Sequence, residues 1–426
     1  MKWLKQLLSR EEQSGDSTAG DLAAHRFDPF DASFVVDPYP LFRYLREHDP
    51  VHRSEQGAWV ITGYQDILDA LADRRLGNAP SPYAVVNPRN RSRYVCADVA
   101  TNILPFLDIP AHTRPRKLVA RVFSEQLKRR PPPLQSIALE LLESLRQRGE
   151  MELLADFATP YSVQVMIELL GIPHMDAPRL KRWSEDFFYL FSIIPSEQIR
   201  QQLDQALMEF RDYFAQQVAL RHGQSGDDLI SALMLADDDG YRLGEAEIID
   251  TLMLLFADGV ENVDSMIANA LAALLQNPEQ LALLKAQPQL LSQAVDECLR
   301  YESPAQFVGR VALEDMELRG VKITKGSGVL LVIGAANRDS RQFANADSLD
   351  ITRSPNPHLS FGKGKHACIG GPLVRQEVEQ ALAVLLANLP DLAQPQPELQ
   401  WQQRLGHRWL QRLPLAFNSL GNSSGK

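Results

Sequence analysis

The sequence has 426 residues, and its 44 lysines and arginines against 54 aspartates and glutamates give a formal net charge of −10. An acidic chain lacks the basic footprint of a general nucleic-acid binder. Its three cysteines, Cys96, Cys298 and Cys368, are too few and too scattered for a disulfide framework or a CxxC-type zinc site. The length is ample to bury a core without such cross-links.

Both ends of the chain are typical of loose segments around one body. Residues 1–24 join a short apolar stretch to a polar, Gly/Ser-rich run, which favours a flexible lead-in over a signal peptide or a spanning helix. The first eight residues are compatible with a frayed helix or with an amphipathic turn that touches a membrane. Residues 418–426 indicate a flexible tail. We therefore expect a cytoplasmic protein with one domain over 25–417 and no membrane span.

Hydrophobic spacing predicts a mainly helical body. A hairpin is expected over 51–61, where two β-prone runs flank a glycine turn. Helices are expected over 64–73, 116–148, 162–170, 196–220, 243–276 and 278–301. Short β-prone runs follow over 311–333 and 399–417. The predicted fold class is mainly α with small β-sheets, an α+β arrangement in a single large domain.

The most informative stretch is FGKGKHACIGGPLVR, residues 361–375, in which four glycines surround Cys368. Glycine permits positive φ and close approach of the backbone to a flat or bulky partner. A cysteine placed where a loop enters a helix faces unpaired N–H groups, which favour the thiolate. Thiolate is also an axial ligand of haem iron. Taken alone, the stretch is equally compatible with a tight turn around a buried thiol.

The spacing Phe361-Gly362-x-Gly364-x-His366-x-Cys368-x-Gly370 resembles the haem-binding signature of the cytochrome P450 family, with every signature position occupied. Other marks of that family follow in order from about Phe27 to Phe417. The resemblance implies a P450-like domain in which Cys368 ligates the iron of haem b and Phe361 packs beside its sulfur. It also implies that Gly362, Gly364 and Gly370 let the backbone lie against the porphyrin.

Glu297 and Arg300 are three apart on a predicted helix and therefore share a face. Such a pair is usually a solvated ion pair. Here it resembles the ExxR element of the family, and Arg353 stands at the position of the third partner. The resemblance implies a buried structural triad that braces the cysteine loop.

Four basic residues match family positions that bind the two haem carboxylates. They are His112, Arg116, Arg310 and His366. The first two are four apart and share a helical face. A surface position is the ordinary alternative for any one of them, and their combined placement favours carboxylate binding.

The helix predicted over 243–276 carries an apolar stripe that encloses Asp258, Gly259, Glu261 and Asn262. A glycine in the middle of a helix and buried carboxylates are both costly, which indicates a site. The family has a small residue, Gly, any residue, an acid and then Thr at these positions. Gly259 and Glu261 match that pattern, whereas Asn262 replaces the threonine and Asp258 the small residue.

This departure leaves three outcomes open. An amide donates a hydrogen bond but has no hydroxyl through which to relay a proton. The first outcome is that Glu261, Asp258 or a substrate hydroxyl organises the proton path. The others are an oxidation that depends less on the threonine, and turnover that is poorly coupled or driven by peroxide. We expect the first, with Asp258, Gly259, Glu261 and Asn262 as the catalytic set.

Three stretches match substrate-contacting regions of the family, namely 81–106, 186–194 and 305–308. The expected substrate contacts are Leu255, Gln306, Phe307 and Val308. The aromatic run at 186–194, DFFYLFSII, is equally typical of core packing. The resemblance implies a mainly apolar small molecule, such as a natural-product intermediate, either free or bound to a carrier protein.

No flavin- or iron–sulfur-binding segment is recognisable, so the resemblance implies electrons from a ferredoxin or flavodoxin and its reductase. A basic run on one predicted helix and two lysines beside the cysteine suit an acidic electron carrier, although such runs are usually solvated faces. The residues are Arg114, Arg116, Lys117, Arg121, Lys128, Arg129, Arg130, Lys363 and Lys365.

The expected function is that of a haem-thiolate monooxygenase, which inserts one atom of O2 into a small molecule by hydroxylation or epoxidation. Two alternatives stay open. One is P450-type oxidative coupling without oxygen insertion. The other is a non-catalytic haem- or ligand-binding protein on the same fold.

Overall fold

The computed structural model describes residues 26–81, 84–191, 196–224, 226–389 and 391–418. The predicted lead-in over 1–24 and all but the first residue of the predicted tail lie outside these ranges. So does the end of the aromatic run at 186–194.

Within the described residues, fifteen α-helices are the predominant secondary structure. The first eight are α1 (Ala32–Val36), α2 (Tyr39–His48), α3 (Tyr64–Ala72), α4 (Val95–Val99), α5 (Thr113–Arg129), α6 (Leu134–Leu145), α7 (Thr159–Leu170) and α8 (Ala177–Phe187). The remaining seven are α9 (Glu197–Ala219), α10 (Leu229–Leu235), α11 (Glu245–Gln276), α12 (Pro278–Ala286), α13 (Leu291–Tyr301), α14 (Ile333–Ala336) and α15 (Gly371–Asn388). None of the helices in this part of the chain is long and apolar enough to cross a membrane.

Two predicted helices are each divided by proline. The single helix expected over 116–148 is wrong: α5 ends at Arg129, and three successive prolines, 131–133, separate it from α6. Proline has no N–H to donate and clashes with the preceding turn, so a helix cannot run through such a series. The helix expected over 278–301 is likewise divided into α12 and α13, with a short 3₁₀ turn at Pro288–Leu290 between them.

The strands form one five-stranded sheet and three two-stranded pairs. The strands are β1 (Val51–Arg53), β2 (Trp59–Ile61), β3 (Leu76–Gly77), β4 (Glu150–Glu152), β5 (Val308–Ala312), β6 (Met316–Leu318), β7 (Val321–Ile323), β8 (Gly328–Leu331), β9 (Gln400–Trp401), β10 (Leu410–Arg412) and β11 (Pro414–Ala416). The large sheet has the order β1-β2-β8-β5-β3, and β2 pairs with β8 in parallel. The hairpin predicted over 51–61 is confirmed as β1 and β2. In the region 399–417 only β9 and β10 form a hairpin, because β11 pairs with β4 instead.

Helix α11 runs through the main apolar core. Most of its 32 residues are buried, and it packs against α7, α8, α9, α13 and α15. The contact with α15 brings the middle of α11 beside the loop that precedes α15. The fold thereby places the two segments that the sequence singled out, the cysteine loop and the central helix, around one cavity.

Candidate active site

The cysteine loop is a tight turn that ends at the start of α15. Gly362 and Gly364 have φ values of +65° and +73°, which favour glycine because L side chains rarely adopt them. The N–H of Cys368 donates to the carbonyl of Phe361 at 2.8 Å and closes the turn. The guanidinium of Arg375 lies 4.5 Å from the centre of the Phe361 ring and holds it in place. The loop thus presents the cysteine sulfur to the cavity.

Burial dominates the titration of Cys368. It raises the pKa of the thiol to about 11, and the carboxyl of Asp258 acts in the same direction. The N–H groups of Gly370 and Gly371, together with Arg116, lower that pKa, as the sequence argument about the helix N-terminus predicted. Their effect is smaller than that of desolvation. A bound metal reverses the balance, because a coordinating thiol is deprotonated outright.

Four basic side chains gather on one side of the cavity. The rings of His112 and His366 stack with their centres 3.9 Å apart, and Arg116 donates to the carbonyl of Ala367 in the cysteine loop. Burial lowers the pKa of His112 to about 4 and that of Arg310 to about 10. Burial, reinforced by the neighbouring cations, lowers the pKa of His366 to about 3. At neutral pH the positive charge of the cluster therefore lies on Arg116 and Arg310, and the two neutral histidines add hydrogen-bonding groups, a combination that suits an anion.

The predicted triad is assembled behind the loop. Arg300 forms a bidentate pair with Glu297, with both N–O distances 2.7 Å, and Arg353 binds the same carboxylate at 3.0 Å. The side chains of Glu297 and Arg300 have no exposed surface. Arg300 also donates to three backbone carbonyls, those of Asn337, Ala346 and Ser348. Every part of the network is satisfied, as a buried charge requires.

Helix α11 presents Asp258, Gly259 and Asn262 to the cavity. Burial raises the pKa of Asp258 to about 7, so this carboxyl exchanges its proton near neutral pH. The side-chain oxygen of Asn262, Oδ1, is buried without a hydrogen-bond partner among the described residues. Gly259 packs against Met166, whose sulfur would lie only 2.4 Å from an added Cβ atom. An alanine at this position would therefore force the Met166 side chain to move.

Glu261 does not line the cavity. Its carboxylate accepts hydrogen bonds from Lys181 at 2.8 Å and from Ser184 at 2.5 Å, both on α8. Burial raises the pKa of Glu261, and Lys181 partly offsets that effect. The structure thus brings Asp258, Gly259 and Asn262 together and places Glu261 in a separate ion-pair network.

The three predicted substrate stretches contribute to one cavity of about 660 Å³. Phe188, Leu190 and Phe191 provide an apolar wall, and Leu255, Phe307 and Val308 also line the space. Gln306 differs from the prediction, because its side chain is buried away from the cavity and donates to the carbonyl of Ser303 at 2.8 Å. Side chains alternate along an extended segment, so a residue between two lining positions points the other way.

Sequence reasoning missed three residues near the site. Lys181, the partner of Glu261, lies 80 residues from it in the chain. Glu377 and His407 line the cavity. Both carboxylate oxygens of Glu377 are buried without a partner among the described residues, and burial raises its pKa well above the ordinary value. Glu377 could have been proposed from the sequence only because it lies nine residues after Cys368. No feature of the sequence indicated that His407 lines the cavity.

The protein itself binds five cations of the predicted basic dock but neutralises only some of them. Lys117 forms an ion pair with Asp238, and Arg129 forms one with Asp227. Arg114, Arg121 and Arg130 donate to the backbone carbonyls of Asp238, Asp237 and Asp227, which carry no net charge. Lys363 and Lys365 are exposed beside the cysteine loop.

The residues fit a haem. The guanidiniums of Arg116 and Arg310 require anionic partners, and Nε2 of His112 is buried without a hydrogen-bond partner among the described residues. Asp108 acts on His112 and Arg310, but its own carboxylate already accepts the N–H groups of Asn78 and Ala79 at 2.6 and 3.3 Å. Two haem carboxylates would supply the missing charge, and the cysteine would supply an axial ligand. A mainly helical domain with such a loop and cavity defines a haem-thiolate oxidoreductase.

Comparison with known proteins gives the same class. Residues 179–402 match the family model "Cytochrome P450". The biotin biosynthesis cytochrome P450 of Bacillus subtilis (strain 168) is 34% identical over 391 residues, which cover 91% of this chain and 98% of that protein. The 6-deoxyerythronolide B hydroxylase of Saccharopolyspora erythraea is 34% identical over 403 residues, covering 91% and 97%. The solved structure of P450BioI in complex with hexadec-9Z-enoic acid ligated acyl carrier protein has a TM-score of 0.83, 32% identity and coverage of 91% and 99%.

The chain therefore belongs to the cytochrome P450 family, and it is a haem-thiolate monooxygenase. The predictions of the family, of the fold class and of an oxidoreductase are confirmed.

Proposed function

We propose that this monooxygenase hydroxylates or epoxidises a mainly apolar natural-product intermediate, using haem b in one catalytic domain over 25–417. The observation that carries the proposal is a single cavity that joins Cys368 and the basic cluster to an apolar, aromatic wall. A cavity with that lining excludes strongly charged substrates, because each buried charge without a partner is costly.

In this proposal Cys368 would hold the haem iron through its thiolate, and His112, Arg116, Arg310 and His366 would hold the haem carboxylates. Phe361, Gly362, Gly364 and Gly370 would shape the loop for close approach of the porphyrin. When bound, the haem supplies the activation of O2 and the electron transfer. The triad of Glu297, Arg300 and Arg353 keeps the loop in position.

We assign the proton-holding role to Asp258 and not to Glu261. Asp258 lines the cavity with a pKa of about 7, so its carboxyl holds a proton at neutral pH and can release it. Asn262 orients a neighbouring donor or acceptor through its amide but relays no proton. The carboxylate of Glu261 instead accepts hydrogen bonds from Lys181 and Ser184, and so links α11 to α8.

The substrate is either free or attached to a carrier protein. Among the similar proteins, P450BioI is named in complex with a fatty acid on an acyl carrier protein, and another is named as a hydroxylase of 6-deoxyerythronolide B. These names support a large, apolar, biosynthetic substrate. Leu255, Phe307 and Val308 are the proposed contacts, and Gln306 is not among them.

Electrons would come from a ferredoxin or flavodoxin and its reductase, and we propose that the enzyme works in the cytoplasm with those carriers. We centre the proposed dock on the exposed pair Lys363 and Lys365 beside the cysteine loop, because on α5 Lys117 and Arg129 form ion pairs with Asp238 and Asp227, and Arg121 donates to the carbonyl of Asp237. A small basic patch still steers an acidic carrier.

The test begins with purified holoenzyme. We expect its reduced carbon monoxide complex to have the Soret band of thiolate-ligated haem and the Cys368→Ser variant to lack it. Candidate intermediates are then selected by the spin-state shift that they produce, and turnover is run under labelled dioxygen. Incorporation of one labelled atom supports the proposal. A coupled product without label contradicts oxygen insertion, and binding without turnover by any electron donor contradicts an enzyme.

A further inference from the structure

The cavity wall contains a polar group that neither the haem site nor the proton path uses. His407 lines the cavity on the turn between β9 and β10. Its ring lies 5.6 Å from that of Phe188 and 4.6 Å from that of Trp409, both measured between ring centres. It is therefore a histidine set among the aromatic residues that form the apolar wall.

The tautomer of His407 is fixed by its own turn. Nδ1 lies 3.0 Å from the carbonyl oxygen of Leu405, which can only accept, so Nδ1 carries the proton. In a neutral ring Nε2 is then a bare acceptor. The one hydrogen bond of the ring among the described residues is that of Nδ1, and the residue belongs to the lining of the cavity.

The surroundings keep the ring neutral. Burial lowers the pKa of His407 to about 4, and the guanidinium of Arg404 acts in the same direction. Arg404 lies over the rings of Trp409 and Tyr189, at 4.9 and 5.1 Å, and donates to the carbonyl of Glu185 at 2.9 Å. A positive group held at this place disfavours a second positive charge on the imidazole.

The backbone holds the acceptor rigidly. His407 forms a β-bridge with Ala305, and hydrogen bonds of 2.8 Å join Gln306 to Gly406 and Arg408 to Pro304 on either side of it. Gly406 has a φ of +80°, and an added Cβ there would lie 3.2 Å from the Phe307 ring. An acceptor fixed in this way binds a donor with little loss of conformational entropy.

We propose that His407 Nε2 accepts a hydrogen bond from a hydroxyl group of the substrate and so selects apolar molecules that carry an alcohol. This inference deepens the proposed function and rests on it, because it defines the substrate class of the same cavity. An ether or hydrocarbon of the same shape would leave Nε2 unpaired, which is how a polar group in an apolar pocket rejects the wrong ligand. Charged donors are disfavoured because Arg404 is close by.

The experiment measures binding to resting holoenzyme by the spin-state shift, with no reductant added. Two matched pairs serve as probes: testosterone with its 17-methyl ether, and dodecanediol with its dimethyl ether. Purely apolar binding favours each ether, since the ether loses less hydration. We expect the wild type to bind the alcohol more tightly by about two- to tenfold, the value of one net hydrogen bond.

Two variants and one control decide the origin of the preference. His407→Phe keeps an aromatic ring and should reverse the preference, whereas His407→Gln restores an acceptor and should retain part of it. His174→Phe, at an exposed position on the surface, should behave as wild type. Absence of an alcohol preference in the wild type, no binding of either alcohol, or a preference that survives in His407→Phe overturns the proposal. Because no turnover is measured, a failure to oxygenate would count against the proposed function alone.

Discussion

The two sides of the cavity are built in opposite ways. Behind the cysteine loop, Glu297 and Arg300 are fully buried, and their charges are met by Arg353 and by backbone carbonyls. On the α11 side, Asp258 and Asn262 line the cavity; the side-chain oxygen of Asn262 has no hydrogen-bond partner among the described residues, and burial raises the pKa of Asp258 to about 7. In the first region the polar groups bind one another and stabilise the loop. In the second they can bind substrate, water or protons. Changes in the first region should therefore lower stability, and changes in the second should alter the chemistry.

The largest effect is expected from Glu297→Ala. The change strands Arg300 and Arg353 as buried cations without their carboxylate, which costs about 3–5 kcal/mol of unfolding free energy. Urea unfolding of the holoenzyme and the yield of thiolate-type carbon monoxide complex measure the loss. Glu279→Ala, an exposed position on α12, is the matched control and should change neither quantity. A Glu297→Ala enzyme with wild-type stability would show that the triad does not brace the loop.

Asp258→Asn should affect chemistry and leave the fold intact. Removing a general acid typically costs on the order of 100-fold or more in rate. The pKa of Asp258 is raised to about 7, so the carboxyl is protonated below that pH and loses its proton as the pH rises through it. The ratio of product formed to reductant consumed should therefore fall above pH 7 in the wild type. The Asp258→Asn variant should not show this decrease.

Glu261→Gln provides the comparison for that experiment. Its carboxylate faces Lys181 and Ser184 and not the cavity, so the decrease above pH 7 should persist in this variant. If the decrease above pH 7 were lost in Glu261→Gln and kept in Asp258→Asn, Glu261 and not Asp258 would hold the proton.

Gly259→Ala tests packing on the α11 side. The new Cβ would meet the sulfur of Met166 at 2.4 Å, and crowding of this kind costs about 1–3 kcal/mol. Alanine returns about 1 kcal/mol of helix propensity, so we expect a net loss in the lower part of that range. The cost should disappear when Met166→Ala is already present. Equal losses in both backgrounds, measured by urea unfolding, would contradict crowding by Met166.

The smallest effect is expected at the surface beside the cysteine loop. Lys363→Gln with Lys365→Gln should slow reduction by an acidic ferredoxin by about tenfold at low salt, and the difference should shrink as salt is added. Lys322→Gln with Lys325→Gln removes the same charge from the β7 region and is the control. If stopped-flow reduction rates were equal in the two double variants, Lys363 and Lys365 would not be part of the dock.

The sequence was sufficient where the chain repeats a local pattern. The cysteine loop, the Glu297–Arg300 spacing and most helices follow from residue order, since glycine freedom and helical periodicity act over a few positions. The same reasoning failed at the prolines of 131–133, which outweigh a helical pattern that continues on both sides.

Long-range pairing was the part that could not be predicted. Nothing in the order of residues indicates that Lys181 and Ser184 bind the carboxylate of Glu261, or that Asp238 forms an ion pair with Lys117 on α5. The same holds for the side chain of Gln306, whose orientation is decided by the β-bridge of its neighbour Ala305 with His407. These contacts form only when distant segments pack together.

The parallel pairing of β2 with β8 has a consequence for synthesis. Ile61 meets Leu331 across ~270 residues of chain, so the hairpin of β1 and β2 leaves the ribosome long before its neighbour exists. At roughly 5–20 residues per second, the delay is on the order of 15–50 seconds. Throughout that time Val60 and Ile61, which are fully buried in the finished sheet, lack their neighbours on β8. Chaperone supply and growth temperature should therefore affect the yield of recombinant protein.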